Sequence, residues 1–317
     1  MNKTEQNGQS NKDVRQDVKF EQLVNTTRGG EYLLSTHKKV LELPLHFKLG
    51  MSIEDSYKEF YDKYVYLLER CNVNVEIINI AYQLGRGLLD TVQDYLNGKI
   101  VSAYNRFEQA MSQIANYLPL VQVDSRVFYR MRNGKALTDI KEFWHIPFDK
   151  NYLSRSERFS IEGYPILYLG YSKHVCELEI QKGSLAALKL NESIDRVLDL
   201  TLGQGDGKRL LQDSDLMKIY PLIASCYVVP YYSVFSKTIC APDNPSFREE
   251  YIIPQFLTVY LKEKGVANGI IYYTVKDPDL NPNDTGEKDP RNLALFTTRV
   301  KGKNHDEELM NKFTINI

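Results

Sequence analysis

The sequence predicts an α+β protein, in which a mixed sheet with surrounding helices is preceded by an N-terminal α-helical region. Before Pro119, apolar residues recur at three- and four-residue spacing, as they do along one face of a helix. Beyond Pro119, short β-type runs alternate with helical segments. With 43% hydrophobic and 26% charged residues, the chain has the composition of a folded globular protein. We therefore predict a flexible polar tail at 1–27, a helical region at 28–120 and an α+β domain at 121–317.

Three amphipathic stripes define the predicted helices of the N-terminal region. Ser52 and Asp55 form a capping-box pattern in front of the first stripe. The second stripe predicts a helix over 76–96 that ends before Gly98, and the third covers 101–118. Three such helices joined by short links are typical of a bundle. Their apolar surface predicts an assembly or control element, including a homo-oligomer, although a structural extension of the core is the open alternative.

Five short β-type runs predict the sheet of the second domain. One helix is expected over 173–181, and another begins at Pro254 and ends before Gly265. A long polar loop covers 277–291. The strands are expected at 126–130, 166–169, 196–200, 269–274 and 293–296.

Composition and charge exclude several classes of function. The formal net charge of −1 disfavours a nucleic-acid partner, because proteins that neutralise many phosphates carry a basic excess. No apolar run reaches the roughly 20 residues of a membrane span, and the polar N-terminus lacks the apolar core of a signal peptide. The four cysteines form no CxxC, and the five histidines show no paired ligand spacing. We therefore predict a cytoplasmic protein with no membrane association and no metal.

Arg158, Tyr168 and Glu179 form the pattern with the clearest chemistry. The tyrosine follows the arginine by ten positions, and the glutamate follows the tyrosine by eleven. Arginine can clamp a phosphate, tyrosine can stack on a heteroaromatic ring, and glutamate can stabilise a developing oxocarbenium cation. This combination suits cleavage of a nucleotide glycosidic bond. The spacing also fits a strand–helix packing unit with a surface Arg–Glu pair, so it leaves both interpretations open.

A wider set of motifs resembles the RES domain family, which is named for its characteristic arginine, glutamate and serine residues. The matching segments are, in chain order, FYRMR, EFWHIPF, RFSIEGYPILYLGYSKHVCELEI, EYIIPQFL and GIIYYT, and they extend over about residues 126–300. The resemblance implies a fold like that of the ADP-ribosyltransferases. It also implies an enzyme that takes NAD as its substrate and degrades it by hydrolysis or phosphorolysis, acting as a toxin that an antitoxin protein blocks.

The resemblance assigns catalytic roles to three residues. Arg158 matches the family's arginine, Tyr168 its strand tyrosine and Glu179 its glutamate. Glu177 competes with Glu179 for the last role. Two residues apart on a helix, the two side chains point about 200° apart, and the family spacing selects Glu179.

Two of these residues are also expected to bind NAD, together with an earlier arginine. Arg158 and Arg130 would hold the pyrophosphate, and Tyr168 would stack near the nicotinamide or its ribose. Arg132 is the alternative to Arg130, because it lies two residues further on and on the same strand face.

Three further NAD-binding candidates are Thr274, His145 and Gln255. The family has a serine where this chain has Thr274, and threonine keeps the hydroxyl donor and acceptor while adding a methyl group. His145 would orient a ribose at the edge of the pocket, unless it is a packed histidine in an aromatic cluster. Gln255, which follows Pro254 at a helix start, would contact the ligand or support the glutamate.

Two alternatives to NAD cleavage remain open at this point. A protein ADP-ribosyltransferase would use the same NAD-binding residues with a protein as the acceptor. A degenerate nucleotide-binding sensor would bind NAD without turnover, and Thr274 is the feature that favours it. The sequence does not distinguish water, phosphate and protein as acceptors.

Overall fold

The computed structural model describes residues 52–70, 75–134, 137–201, 247–276 and 284–317. Of these residues, those up to Leu118 belong to one compact unit and those from Pro119 onward belong to a second. Several predicted features lie outside the described residues: the tail at 1–27, the start of the helical region at 28–51, the part of the polar loop at 277–283, and Cys71, Cys226 and Cys240.

The first unit contains three helices within the described ranges: α1 (Ile53–Arg70), α2 (Val75–Leu96) and α3 (Ile100–Ser112). The predicted cap of α1 is confirmed. The Ser52 hydroxyl accepts a hydrogen bond from the Asp55 amide at 3.0 Å and donates one to the Asp55 carboxylate at 2.9 Å. Each helix therefore begins close to where the sequence pattern places it.

Two glycines of α2 allow the three helices to approach closely. A Cβ at Gly85 would overlap the Tyr61 ring of α1, and a Cβ at Gly87 would lie 2.7 Å from the Ala110 side chain of α3. These glycines therefore serve helix packing. The predicted third stripe is partly wrong, because Val101 is exposed while Phe107, Met111 and Ile114 are buried.

Within the described ranges, the second unit is built on a mixed sheet of eight strands. The strand order is β1-β5-β6-β7-β3-β2-β4-β8, and of these neighbours β5 and β6 alone run parallel. The five predicted strands are present, and three more are added. The strands are β1 (Leu120–Val123), β2 (Val127–Arg132), β3 (Ile166–Gly170), β4 (Ser184–Leu190), β5 (Ile194–Asp199), β6 (Gly269–Tyr273), β7 (Arg291–Phe296) and β8 (Phe313–Asn316).

Three α-helices accompany this sheet in the described residues: α4 (Lys173–Glu179), α5 (Ile252–Glu263) and α6 (Glu307–Asn311). The Ser172 hydroxyl caps α4 by accepting from the Val175 amide at 3.1 Å. One face of the sheet carries the main hydrophobic core, which includes Phe128, Phe143, Leu167, Leu169, Leu188, Leu293 and Leu295. The opposite face of the central strands carries the polar groups described next.

In the part of the chain that the structure describes, no helix combines the length and the apolar character that a membrane crossing requires.

Candidate functional site

The first feature of the site is an opening between β2 and β3. β2 pairs with β4 over six positions, whereas its recorded pairing with β3 is at Tyr129 and Gly170 alone. Arg130 fills the resulting gap, where its Nη1 donates to the Tyr168 carbonyl at 2.6 Å. Burial, with a smaller contribution from the positive charge of the neighbouring Arg132, lowers the pKa of Arg130 to about 9. The buried Arg130 Nε has no hydrogen-bond partner among the described residues.

A polar and aromatic face spans three neighbouring strands. Tyr272 of β6 lies opposite Asn292 of β7, which lies opposite Gly170 of β3. Tyr168 belongs to the same face, two residues before Gly170, because opposite residues and alternate residues share a face. α4 covers the Gly170 end, since a Cβ there would lie 2.6 Å from the Cys176 sulfur.

Glu179 lies at the last position of α4 and is held by two groups that follow β6. Thr274 Oγ1 donates to Glu179 Oε1 at 2.9 Å, and Lys276 Nζ lies 3.0 Å from Oε2. The Lys276 ammonium also donates to the Glu179 carbonyl at 3.2 Å. Glu177 and Glu179 are both exposed, and of the two it is Glu179 that contacts Thr274. The predicted serine position thus presents its hydroxyl to the predicted glutamate.

Arg158 lies on the ring of Tyr272, with its guanidinium carbon 5.4 Å from the ring centroid. Within the described residues, the Arg158 side chain makes no hydrogen bond or ion pair, and its buried Nε is unsatisfied. Tyr272 is near Glu179 as well: burial raises its pKa, the positive charge of Arg158 lowers it, and the negative charge of Glu179 raises it. The structure therefore gathers Arg158 and Glu179 around one tyrosine.

Gln255 supports the loop that carries Arg158. Its Nε2 donates to Ser156 Oγ at 2.8 Å and to the Glu157 carbonyl at 2.9 Å. A third contact runs to the Ser160 carbonyl at 3.3 Å. The carboxamide nitrogen of Gln255 is thus directed at the loop 156–160, and Glu179 is held by Thr274 and Lys276 instead.

Tyr168 and Phe159 complete an aromatic wall beside Tyr272. The Phe159 amide donates to the Tyr168 hydroxyl oxygen at 3.3 Å, and the Phe159 ring centroid lies 4.8 Å from that of Tyr272. Burial raises the pKa of Tyr168 well above its usual value, with a smaller contribution from Tyr272. Tyr168 is therefore a neutral phenol, suited to packing and hydrogen bonding more than to proton transfer.

Glu157 is a second carboxylate near Glu179 that the sequence motifs did not identify. Although the residue as a whole is exposed, desolvation of its carboxyl raises the pKa of Glu157, and the negative charge of Glu179 also raises it. Arg158 and Lys276 act in the opposite direction. The cluster thus mixes two carboxylates with two cations.

His145 is held by backbone groups on both sides of its ring. Its Nε2 accepts from the Asp306 amide at 3.0 Å, and its Nδ1 donates to the Ile146 carbonyl at 2.8 Å. The ring packs against Phe148 and His305 at centroid distances of 4.8 and 5.2 Å. Burial lowers the pKa of His145 to about 4. These contacts match a packed histidine, and the structure shows no free ring nitrogen for a ribose.

The described residues contain no group of three or more histidine, cysteine, aspartate or glutamate side chains that would hold a metal ion. What they contain is an α+β domain with a cluster of polar and aromatic side chains. Arg158, tyrosine rings and the hydroxyl-bound Glu179 carboxylate lie near one another in it, while Arg130 reaches the Tyr168 carbonyl from the neighbouring strand β2.

One comparison with known proteins finds a relative of this chain. The chain is 29% identical over 250 residues to a protein named "Putative toxin YopC" from Bacillus subtilis (strain 168). The similarity covers 72% of this chain and 56% of that relative, so the chain spans little more than half of its length. No family model matches the chain, and no solved structure matches it.

Proposed function

We propose that the chain cleaves the nicotinamide–ribose bond of NAD, as an NAD glycohydrolase or NAD phosphorylase, on a fold like that of the ADP-ribosyltransferases. One observation carries the proposal. The Glu179 carboxylate is fixed by Thr274 and Lys276, next to a tyrosine that bears the unpaired Arg158 guanidinium. An oriented carboxylate beside cationic donors and aromatic rings suits a substrate that combines a pyrophosphate, a ribose and a planar ring.

Binding rests on the two arginines with unsatisfied nitrogens. Arg158 and Arg130 each keep a buried Nε without a partner in the described part of the chain. Pyrophosphate oxygens accept hydrogen bonds from guanidinium groups in the geometry that Arg provides. Tyr168 and Tyr272 supply apolar faces for the nicotinamide and its ribose. Binding of the pyrophosphate would thus give hydrogen-bond acceptors to two buried donors that lack them in the free protein.

Cleavage requires stabilisation of positive charge at the anomeric carbon of the nicotinamide ribose. As the C–N bond breaks, its electron pair moves to the pyridinium nitrogen and nicotinamide leaves as a neutral molecule, so no acid is needed. The Glu179 carboxylate stabilises the oxocarbenium cation that remains. Water then adds to give ADP-ribose and a proton, or phosphate adds to give the phosphorylated ADP-ribose.

A toxin role follows from the same proposal. The relative named as a toxin covers most of this chain, and loss of NAD would stop growth of the host cell. A toxin of this kind needs a partner that blocks its site, so we expect an antitoxin protein that contacts the cleft around Arg158 and Glu179.

The proposal is tested by incubating the purified chain with NAD and separating the products by chromatography. Nicotinamide together with ADP-ribose indicates hydrolysis, and a phosphate-dependent switch to phosphorylated ADP-ribose indicates phosphorolysis. Label transferred from NAD to protein would instead indicate an ADP-ribosyltransferase. Intact NAD after prolonged incubation, with saturable binding, would indicate a sensor and contradict the proposal.

A further inference from the structure

Asn292 is a buried polar residue that neither the sequence motifs nor the proposed mechanism uses. It stands near the start of β7, in the otherwise apolar run Asn292–Phe296, and only 6% of it is exposed. Its Nδ2 is buried and has no hydrogen-bond partner in the described residues. An unsatisfied buried amide destabilises a protein, so its presence indicates a role other than stabilising the fold.

The register of the sheet places Asn292 at the floor of the candidate site. Tyr272 lies directly opposite on β6 and Gly170 directly opposite on β3. Thr274, which bonds Glu179, follows Tyr272 by two residues and therefore belongs to the same face. The carboxamide of Asn292 thus lies between the tyrosine that bears Arg158 and the helix that carries Glu179.

We propose that Asn292 binds the nicotinamide end of NAD by donating a hydrogen bond from Nδ2 to the carbonyl oxygen of the nicotinamide carboxamide, an inference that rests on the proposed function. The group next to the Glu179 carboxylate is the one that departs when the glycosidic bond breaks. The site offers that group tyrosine surfaces at Tyr168 and Tyr272 and an unpaired amide at the floor. A planar ring with a carboxamide substituent matches both features.

The assignment makes Asn292 a specificity determinant for the leaving group. ADP-ribose carries the pyrophosphate and both riboses but lacks nicotinamide. Asn292 therefore should matter for NAD and not for ADP-ribose. It also predicts an unusual effect on stability, because replacing an unsatisfied buried amide with an apolar group of similar shape is neutral or stabilising.

The experiment compares Glu179→Gln with Glu179→Gln/Asn292→Leu, so that turnover does not consume the ligand. Titration calorimetry with NAD and with ADP-ribose gives the dissociation constants, and thermal unfolding gives the stability. We expect the dissociation constant for NAD to rise roughly tenfold, in line with the loss of one hydrogen bond, with that for ADP-ribose unchanged and the Tm unchanged or higher. If the leucine variant does not fold, Asn292→Ala is titrated with the same two ligands.

Equal affinities of the two proteins for NAD would overturn the assignment, and so would a parallel loss of NAD and ADP-ribose binding. If the parent variant Glu179→Gln binds NAD tightly while the wild type leaves NAD intact, the proposed cleavage is wrong but the role of Asn292 in binding stands. A parent that binds neither ligand would overturn both.

Discussion

Two arginines of the second unit lie against tyrosine rings, yet their nitrogens are used in opposite ways. The Arg291 guanidinium carbon is 4.4 Å from the Tyr171 centroid, and that of Arg158 is 5.4 Å from the Tyr272 centroid. Arg291 donates from Nε and Nη2 to the two carboxylate oxygens of Asp289, at 2.8 and 2.6 Å. Arg158 has no such partner in the described residues. The same residue type on the same kind of ring therefore stabilises the fold in one place, whereas in the other it lacks a partner in the described residues and is the arginine that we propose to bind the ligand.

The environment of Asp289 explains why the Arg291 pair is structural. The carboxylate is 1% exposed and also accepts from the Arg291 amide at 3.2 Å. Its backbone carbonyl accepts from the Ser172 hydroxyl that caps α4, at 2.8 Å. Arg291 thus neutralises a buried charge that ties the start of β7 to α4. The arginine that is paired with a carboxylate thus belongs to the structural framework, whereas the arginine without such a partner in the described residues belongs to the candidate site.

The largest effect is expected from Arg158→Lys. Lysine keeps the charge but loses the planar fork that binds two phosphate oxygens, so NAD turnover should fall roughly 100-fold or more with little change in Tm. Initial rates of nicotinamide release and a thermal melt measure the two quantities. Arg291→Lys is the matched control, and it should keep turnover per folded molecule. Wild-type rates in Arg158→Lys would place Arg158 outside the site.

Arg291→Ala should have the opposite effect to Arg158→Lys, because it affects stability more than turnover. Removing Arg291 leaves the buried Asp289 carboxylate with only the more distant Arg126 Nη2, at 3.9 Å, as a counter-charge. The free energy of unfolding should therefore fall by up to about 3 kcal/mol. Urea unfolding monitored by circular dichroism measures the loss. Arg158→Ala, the comparison variant, should change the free energy of unfolding by less than about 1 kcal/mol because it breaks no hydrogen bond. Equal losses in the two variants would remove the distinction between them.

His145, which belongs to the structural framework, should make the free energy of unfolding depend on pH. Its pKa in the folded chain, about 4, lies below that of an unfolded histidine, so the unfolded state binds the extra proton first. The free energy of unfolding should therefore decrease as the pH falls from about 6.5 toward 4, by up to about 3 kcal/mol. Urea unfolding of wild type and His145→Gln at several pH values isolates this contribution. A wild-type loss that the variant reproduces in full would exclude His145 as its source.

A smaller effect is expected at Thr274, which belongs to the site. Thr274→Val removes the hydroxyl that donates to Glu179 at similar volume, and turnover should fall roughly tenfold. Thr274→Ser keeps the hydroxyl and should retain the wild-type rate. Steady-state kinetics of the two variants measure the difference. If valine is as active as threonine, the hydrogen bond to Glu179 has no part in turnover.

Much of the sheet was predictable because its strands have the residues that strands prefer. β3 and β6 are rich in Ile, Leu and Tyr, and both appear where the pattern places them. β4 reads SLAALKL, and alanine and lysine weaken its strand pattern. β8 is only four residues long, and its position depends on pairing with β4, which the sequence does not show.

The candidate site, like the sheet, could be predicted only in part, because the sequence does not show which distant segments lie together. Glu179 was separable from Glu177 because helical geometry allows only one of them to face the site, and the spacing in the family that the chain resembles selects Glu179. Tyr272, Lys276 and Asn292 were missed because their proximity to Glu179 arises from strand pairing and loop placement across about a hundred residues of chain. The one available signal was a lone asparagine in an otherwise apolar buried strand.

Two neighbouring carboxylates on α4 allow a decisive test of the role of Glu179 in NAD cleavage. Nicotinamide release from NAD is measured for the wild type, for Glu179→Gln and for Glu177→Gln, at equal concentrations of folded protein. Glu177 is exposed, so its variant controls for charge and helix position. Our account predicts that the Glu177 variant matches the wild type and that the Glu179 variant loses release by a factor of 100 or more, on the order of a transition-state charge interaction. Release that persists in Glu179→Gln, or that is absent from the wild type, would contradict it.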